Sequence, residues 1–290
     1  MLFTKYNTAK EFADDTLGVL KKHEIQNNLF FKNIEIGLEK DKDNSLTHEI
    51  IMLTVKDDGG NVLITAIRTL PHPFTIFETD NVSNNDALEF LSASLAENNI
   101  YIDTVLCEKE LVKRFCGLYG RHIKKSFYCH ESLVLYVLEK VNDLDLVDGN
   151  FRKANENDMY YLPYWCADFQ PACKLGEYNL DSGIEGAKRR IADGSAYIFE
   201  HNNIPVSLAA KTRKTSDCAF IAMVYTPPTL RGKGYSTACV AKLSQKLFDD
   251  GWKYCGLYAD CDNPYSNRVY QKIGYKEILY NGIYKIKETK

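Results

Sequence analysis

The sequence predicts an α/β protein, a mixed, mainly antiparallel sheet with flanking helices, occurring twice in tandem. Three observations predict it. Stretches rich in β-branched and aromatic residues alternate with stretches whose apolar residues recur every three or four positions. The order of these stretches in the first half returns in the second. Between the halves, Asn142 to Asn150 reads Asn-Asp-Leu-Asp-Leu-Val-Asp-Gly-Asn, polar and acidic. At 290 residues two domains are the simplest division, and the boundary is set there, giving domains at 1–145 and 150–290.

Taken in order, residues 8–40 read as two helices, with Phe12, Leu17, Leu20, Leu29, Phe30, Ile34 and Leu38 spaced mostly by three or four. Strands follow at 49–56 and 61–69, joined by Asp57-Asp58-Gly59-Gly60, a hairpin turn by composition. Next come a strand at 74–78, a helix at 84–97, a strand at 101–106, a helix at 108–119 and a strand at 127–139. The second half opens with a short strand at 151–154 and helices at 156–170 and 182–193, the latter stopped by Gly194. Strands are expected at 196–201, 204–212 and 217–225, the first two turned by Asn202-Asn203. A helix at 235–250 carries the stripe Cys239, Val240, Leu243 and Leu247, and a strand at 253–260, a short helix at 264–273 and a last strand to 286 complete the chain.

With 45% hydrophobic and 12% aromatic residues the chain can bury substantial cores, and a net charge of −3 gives no reason to expect nucleic acid as a partner. There is no run of 18 uncharged apolar residues and no signal-peptide core at the N-terminus, so no membrane partner and a cytoplasmic location are expected. The nine cysteines form no Cys-x-x-Cys pair and no Cys/His cluster. They read as free thiols in a reducing compartment, and no metal is expected.

The stretch that carries chemistry is Met223 to Ser236, Met-Val-Tyr-Thr-Pro-Pro-Thr-Leu-Arg-Gly-Lys-Gly-Tyr-Ser. Pro227 and Pro228 end the preceding strand, because proline has no N–H for a ladder. Gly232 and Gly234 permit a tight turn with outward-facing amides, and the helix behind it begins with unpaired N–H groups that attract anions. Arg231 and Lys233 add positive charge. The physical reading is a phosphate or pyrophosphate site; a bare Gly-x-Gly by itself is equally well a turn. The Walker pattern does not fit, since Gly232-Lys233 is followed by Gly234 and not Ser or Thr, and the dinucleotide fingerprint lacks its third glycine, position 237 being Thr.

Arg231-Gly232-Lys233-Gly234-Tyr235-Ser236, behind Val224-Tyr225, resembles the acyl-CoA pyrophosphate motif of the GNAT superfamily of N-acetyltransferases, with Ser236 where Gly or Ala is usual. Asn263-Pro264-Tyr265-Ser266-Asn267 and Val269-Tyr270-Gln271-Lys272-Ile273-Gly274-Tyr275 resemble the family's second signature, in the expected order. The resemblance covers about the last 140 residues. It implies two GNAT-like folds in tandem, the first a degenerate copy: Glu78-Thr79-Asp80-Asn81-Val82-Ser83-Asn84 has no glycine and two acids, and Cys116 stands at the place of Tyr270.

The activity implied is transfer of an acetyl group from acetyl-CoA, a co-substrate, to a primary amine of a small molecule or peptide by direct attack on the thioester, in a monomer or homodimer. Met223, Val224 and Tyr225 would pair with the pantetheine arm through their main chain, against the plain alternative of a core strand. Tyr270 matches the general-acid tyrosine and could instead be one of nineteen tyrosines serving in a core. Asn263 matches the residue that bonds the pantetheine arm and is also a fitting helix cap before Pro264. Ser266 and Asn267 are further cofactor candidates. The expected strand carries no glutamate at 218–225, which leaves Glu200, Asp260 and Glu177 as candidate bases and admits a non-catalytic acyl-CoA-binding protein as the other reading. Tyr160, Tyr161, Tyr164, Trp165, Asp168, Glu177 and Tyr178 could hold a cationic amine, or form core.

Overall fold

The computed structural model describes residues 1–42, 50–80, 82 and 85–287. Asn81, Ser83 and Asn84 of the acidic loop, and the predicted starts at 49 and 84, lie outside them. In chain order the elements are β1 (Leu2–Lys5), α1 (Ala9–Leu20), α2 (Asn28–Lys42), β2 (Ile50–Lys56), β3 (Val62–Thr69), β4 (Phe74–Glu78), α3 (Asp86–Glu97), β5 (Thr104–Glu108), α4 (Lys109–Ile123) and β6 (Phe127–Leu138). They continue with β7 (Asn150–Lys153), α5 (Leu162–Ala172), α6 (Leu180–Ala192), β8 (Ala196–His201), β9 (Ile204–Lys214), β10 (Cys218–Tyr225), α7 (Tyr235–Asp249), β11 (Tyr254–Asp260), α8 (Pro264–Ile273) and β12 (Lys276–Ile286). No helix among the described residues is long and apolar enough to cross a membrane.

Two compact units result, one of Met1–Val134 with Leu279–Lys290 and one of Leu135–Ile278. In the first, β1 to β4 form an antiparallel meander, and β5 runs parallel to β4 through Phe74 opposite Val105. Alternation along β2 distributes its side chains between two cores. Ile51, Leu53 and Val55 join Leu88, Leu91, Val112 and Phe115 of α3 and α4, whereas Ile50 and Met52 join Phe12, Leu20, Phe30 and Ile34 from the α1 and α2 segments. Because both faces of β2 are covered, its sequence Ile-Ile-Met-Leu-Thr-Val is apolar without alternation.

The second unit repeats the plan. β7 to β10 are antiparallel neighbours and β11 runs parallel to β10. Leu162, Trp165 and Cys166 of α5 and Ala187 of α6 pack with Ile198, Leu208, Met223 and Tyr225. Gly183 brings α6 against α5 so closely that a Cβ there would lie 2.4 Å from the Pro163 carbonyl oxygen. α7 buries the predicted Cys239, Val240, Leu243 and Leu247.

Four features differ from the sequence reading. A strand, β1, opens the chain at Leu2–Lys5. The helix read at 156–170 is a short 3₁₀ turn at Glu156–Tyr160 followed by α5, because Asn155 and Asp158 form a reciprocal cap around the turn and the helix restarts at Leu162-Pro163. The division between units falls at Val134/Leu135 inside β6, so the acidic segment 142–150 belongs to the second unit. Finally, the closing strands are exchanged. β12 is the antiparallel partner of β5, Asn281 opposite Glu108 and Lys285 opposite Thr104, while β6 follows β11 in the sheet order. Both strands are long, and sequence order alone does not say which free edge each one closes.

Asp158 ties the start of the second unit together. Its carboxylate accepts from Arg152 at 2.7 and 2.8 Å, from the Asn155 N–H at 2.7 Å and from the Tyr161 hydroxyl at 2.7 Å. Burial alone would raise the Asp158 pKa, but Arg152, the Asn155 amide and Tyr161 outweigh it and hold it below the ordinary value. Asp158→Ala should therefore cost about 3 kcal/mol, the low end for a broken buried pair because Arg152 keeps Glu200 at 2.8 Å. A depressed pKa contributes stability above the unfolded value of about 3.9 and loses it as pH falls through the lower folded value. The stability gap between wild type and variant should thus shrink below about pH 4. Urea unfolding followed by fluorescence of Trp165 and Trp252, both in the second unit, reads this out; a gap that stays constant into acid would remove the charge contribution.

Candidate functional site

β10 and β11 pair only through Cys218–Tyr254, Ala219–Cys255 and Phe220–Gly256. At the last pair the Phe220 ring occupies the space above Gly256, where a Cβ would meet it at 2.6 Å. Beyond it the strands part. The register of β10 against β9 shifts between Ala222 and Tyr225, and Met223 takes φ of +54°, a bulge with a left-handed non-glycine residue. The β11-facing main chain of Met223, Val224 and Tyr225 is therefore left without a ladder partner.

β10 runs into the loop. Pro228–Leu230 form one 3₁₀ turn, and Arg231 donates from Nε to the Thr226 carbonyl at 2.9 Å, which folds the loop back on the strand end. Gly232 and Gly234 have φ of +78° and +83°, values that L side chains rarely adopt. Gly234 is the N-cap of α7 and offers no capping side chain, so the first-turn N–H groups stay available. Arg231, Gly232, Lys233 and Gly234 are exposed, and Tyr235 is buried against the rings of Phe199 and His201.

From the other side comes α8. Asn263 caps it, its Oδ1 accepting from the Ser266 N–H at 3.2 Å, while its side-chain N–H pair has no partner among the described residues. The cap and a ligand role are thus compatible. Ser266 donates from Oγ to the Asn263 carbonyl at 3.1 Å. Seven residues along, Tyr270 is only 6% exposed, its ring near Tyr136 and Tyr275. Tyr275 bonds Ser244 at 2.8 Å, whereas the Tyr270 hydroxyl has no hydrogen bond among the described residues. Burial, with Cys173 and Tyr136 adding, pushes the Tyr270 phenol well above its ordinary pKa, so it holds its proton.

These pieces line one cleft of ≈ 680 Å³. Of the residues singled out in the sequence, Val224, Tyr225, Arg231, Gly232, Gly234, Tyr235, Ser236, Asn263, Ser266 and Tyr270 line it. Met223, Lys233 and Asn267 do not. Met223 makes the bulge, Lys233 projects from the loop, and Asn267 spends its amide on the carbonyls of Asp260 at 3.1 Å and Cys261 at 3.4 Å. Sequence reasoning missed Ala172 and Cys173, brought in by the end of α5, and Tyr265, which is 79% exposed. No sequence signal marks the first two. Thr237, also in the lining, was legible as one more first-turn residue of α7.

The candidate bases are engaged elsewhere. Glu200 is bound by Arg152 and Asn150, which together hold it below the usual carboxylate range, and Asp260 pairs with Lys174 at 3.1 Å. Glu177 is exposed, and among the described residues no carboxylate lines the cleft. Asp168 is joined to it indirectly, accepting at 3.2 Å from the Tyr225 hydroxyl; burial, then Asp168, pushes the Tyr225 phenol up to about 12. Trp165 is core, Tyr161 half-buried on Asp158, and Tyr160, Tyr164 and Tyr178 are exposed.

In the first unit the equivalent ground is filled. Arg114 binds the Glu78 carboxylate and donates to Asn85 Oδ1 at 2.7 Å. Glu108 caps α4 through both oxygens, and Cys116 is a buried thiol pushed up to about 12 by its apolar surroundings.

The FR47-like protein family matches residues 200–283. No curated protein matches the sequence. Among solved structures, a GCN5-related N-acetyltransferase from Sphaerobacter thermophilus superposes with a TM-score of 0.65 at 11% identity, over 98% of this chain and 95% of that one. A GNAT-family acetyltransferase from Colwellia psychrerythraea gives 0.58 at 9% identity, over 99% and 100%. At such identities the likeness is one of fold, and it spans both units. The chain accordingly shares the fold of these acetyltransferases, and its residues 200–283, which supply most of the cleft, are similar to the FR47-like family.

Proposed function

We propose that the second unit is an acetyl-CoA-dependent N-acetyltransferase that acts on a primary amine of a small molecule or peptide. One observation carries this reading: a parted strand pair, a glycine loop at a helix N-terminus and a buried, unbonded tyrosine hydroxyl share a single cleft. The pyrophosphate would rest on the N–H groups of Gly232 to Ser236 with Arg231 and Lys233 nearby, where amides and dipole favour an anion. The pantetheine arm would lie in the opening, pairing with the main chain of Met223 to Tyr225 and with the Asn263 amide. Ser266 stands beside that cap, and Asn267 supports the same turn.

The chemistry is a direct displacement. The amine nitrogen forms a bond to the thioester carbonyl carbon, the oxyanion collapses, and the C–S bond breaks with its electron pair going to sulfur. Tyr270 supplies the proton to that sulfur. Its raised pKa keeps the donor form populated at neutral pH. The amine proton has no carboxylate in the lining to receive it, which favours removal by water, with Asp168 behind Tyr225 as an attraction for a cationic acceptor. The first unit, its loop replaced by an Arg114–Glu78 pair, takes no part in binding the acyl donor.

Gly234→Val should weaken acetyl-CoA binding far more than Lys233→Ala. The first forces a β-branched residue to φ of +83° and directs its Cβ to within 3.2 Å of Val147, whereas the second removes one solvated charge worth about 1 kcal/mol or less. Calorimetry on both variants checks it, and equal small losses would make the loop a mere turn.

Tyr270→Phe should lower single-turnover acetyl transfer by roughly 10²-fold with little change in acetyl-CoA affinity, since the hydroxyl acts mainly as charge develops on sulfur. In wild type, no loss of rate from Tyr270 ionisation should occur before about pH 10, the ordinary phenol value, because burial lifts this group above it. Lost affinity in the variant, or an alkaline limb near pH 8 that it abolishes, would contradict the role. Binding without turnover over a panel of amines would leave a carrier or sensor of acyl-CoA instead.

A further inference from the structure

The two copies differ on the helix that carries Tyr270 in the second unit and Cys116 in the first. In the second unit α8 stops at Ile273, with Gly274 as its left-handed cap. The next residue after Tyr270 is Gln271, whose amide donates to the Tyr136 hydroxyl at 3.3 Å and to Glu277 at 3.0 Å. In the first unit the corresponding residue is Gly117, and a Cβ built on it meets nothing within 4 Å. Gly120, at the place of Gly274, stays inside α4, which continues to Ile123 and ends at Lys124 with φ of +55°. The chain then folds back tightly: Lys125 donates to the Gly120 carbonyl at 3.0 Å, and a Cβ on Gly120 would lie 2.5 Å from the Lys125 carbonyl oxygen.

One helical turn and a return loop without counterpart in the second copy thus wall off a cleft of ≈ 600 Å³ in the first unit, with Gly117 leaving its floor open. Lys113, Arg121, Lys124 and Lys125 line it, Phe127 and Tyr284 give it aromatic walls, and no carboxylate lines it. Two of the cations have acidic neighbours: Lys113 pairs with Glu110 at 2.7 Å and Arg121 approaches Glu89 at 3.6 Å. Lys124 and Lys125 have none among the described residues. Lys124 and Lys125 are thus adjacent like charges without a local counter-ion, and an anionic ligand relieves their repulsion while charge-assisted hydrogen bonds hold it.

We propose that this cleft of the first unit binds a small phosphorylated molecule, with the phosphate held by Lys124, Lys125 and Arg121 and the floor at Gly117 left bare to admit it. The proposal is independent of acetyl transfer in the second unit. It gives the half that lacks the glycine loop a ligand of its own.

Inorganic pyrophosphate is the probe, titrated by calorimetry into the full chain carrying Gly234→Val so that the second unit's loop does not compete. One site is expected there. Adding Lys124→Glu with Lys125→Glu should weaken it at least tenfold. Adding Gly117→Phe instead, which leaves the charge unchanged and for which the protein has free space, should weaken it as much by occupying the floor. Far-UV circular dichroism verifies that each variant is folded, and Gly117→Leu replaces any that is not. Absence of binding in the Gly234→Val chain would overturn the proposal. So would a Gly117 variant that binds as the parent does, because the attraction would then be that of a diffuse basic surface and not of the cleft.

Discussion

The second unit depends on the point where β10 leaves β11. Phe220 and Gly256 are the last residues in register, and the main chain of β10 beyond them turns its hydrogen-bonding groups toward an opening and not a neighbouring strand. Unpaired backbone is costly when buried, so such an opening persists only where water or a ligand can reach it. The bulge at Met223 makes the parting tolerable by re-aiming the strand while its side chain stays in the core with Trp165 and Ile198. Loop and helix then have fixed starting points, and Tyr225, Gly234 and Tyr270 come from three separate elements to one surface. The binding capacity of the cleft is thus written mainly in backbone geometry, with few side chains asked to be specific.

Much of this was legible because glycine and proline state backbone requirements openly. Pro227-Pro228 ends a strand and Gly232-x-Gly234 needs positive φ, and both hold in three dimensions. Tyr270 was marked by the resemblance of Asn263 to Tyr275 to a family signature, and the Asn263 cap by its place before Pro264. Cys173 and Ala172 were not, since they reach the cleft only through the course of α5, and a helix terminus gives no sign of what it will face. Exchange of β6 and β12 was also hidden. Strand pairing is decided by which edge is free, a property of the folded sheet that neither strand's own sequence carries.

The copies also show how one architecture is turned to different uses. Where one copy has a glycine loop, the other has an ion pair between Arg114 and Glu78. A glutamine bonded to Glu277 in one stands where the other has a glycine with open space above it. Neither change disturbs the apolar alternation on which the sheets rest, and the folds tolerate them because both lie at the ends or outer faces of helices.

The place of β12 has a bearing on how the chain is made. Glu108 finds its strand partner in Asn281, which follows it in the chain only after the whole of the second unit. The first unit is synthesised before β12 and must wait with an unpaired edge at β5 until that strand is made, an exposure that invites wrong pairing during synthesis. Closure of the first sheet therefore depends on a contact between residues far apart in sequence, and it follows the synthesis of the second unit.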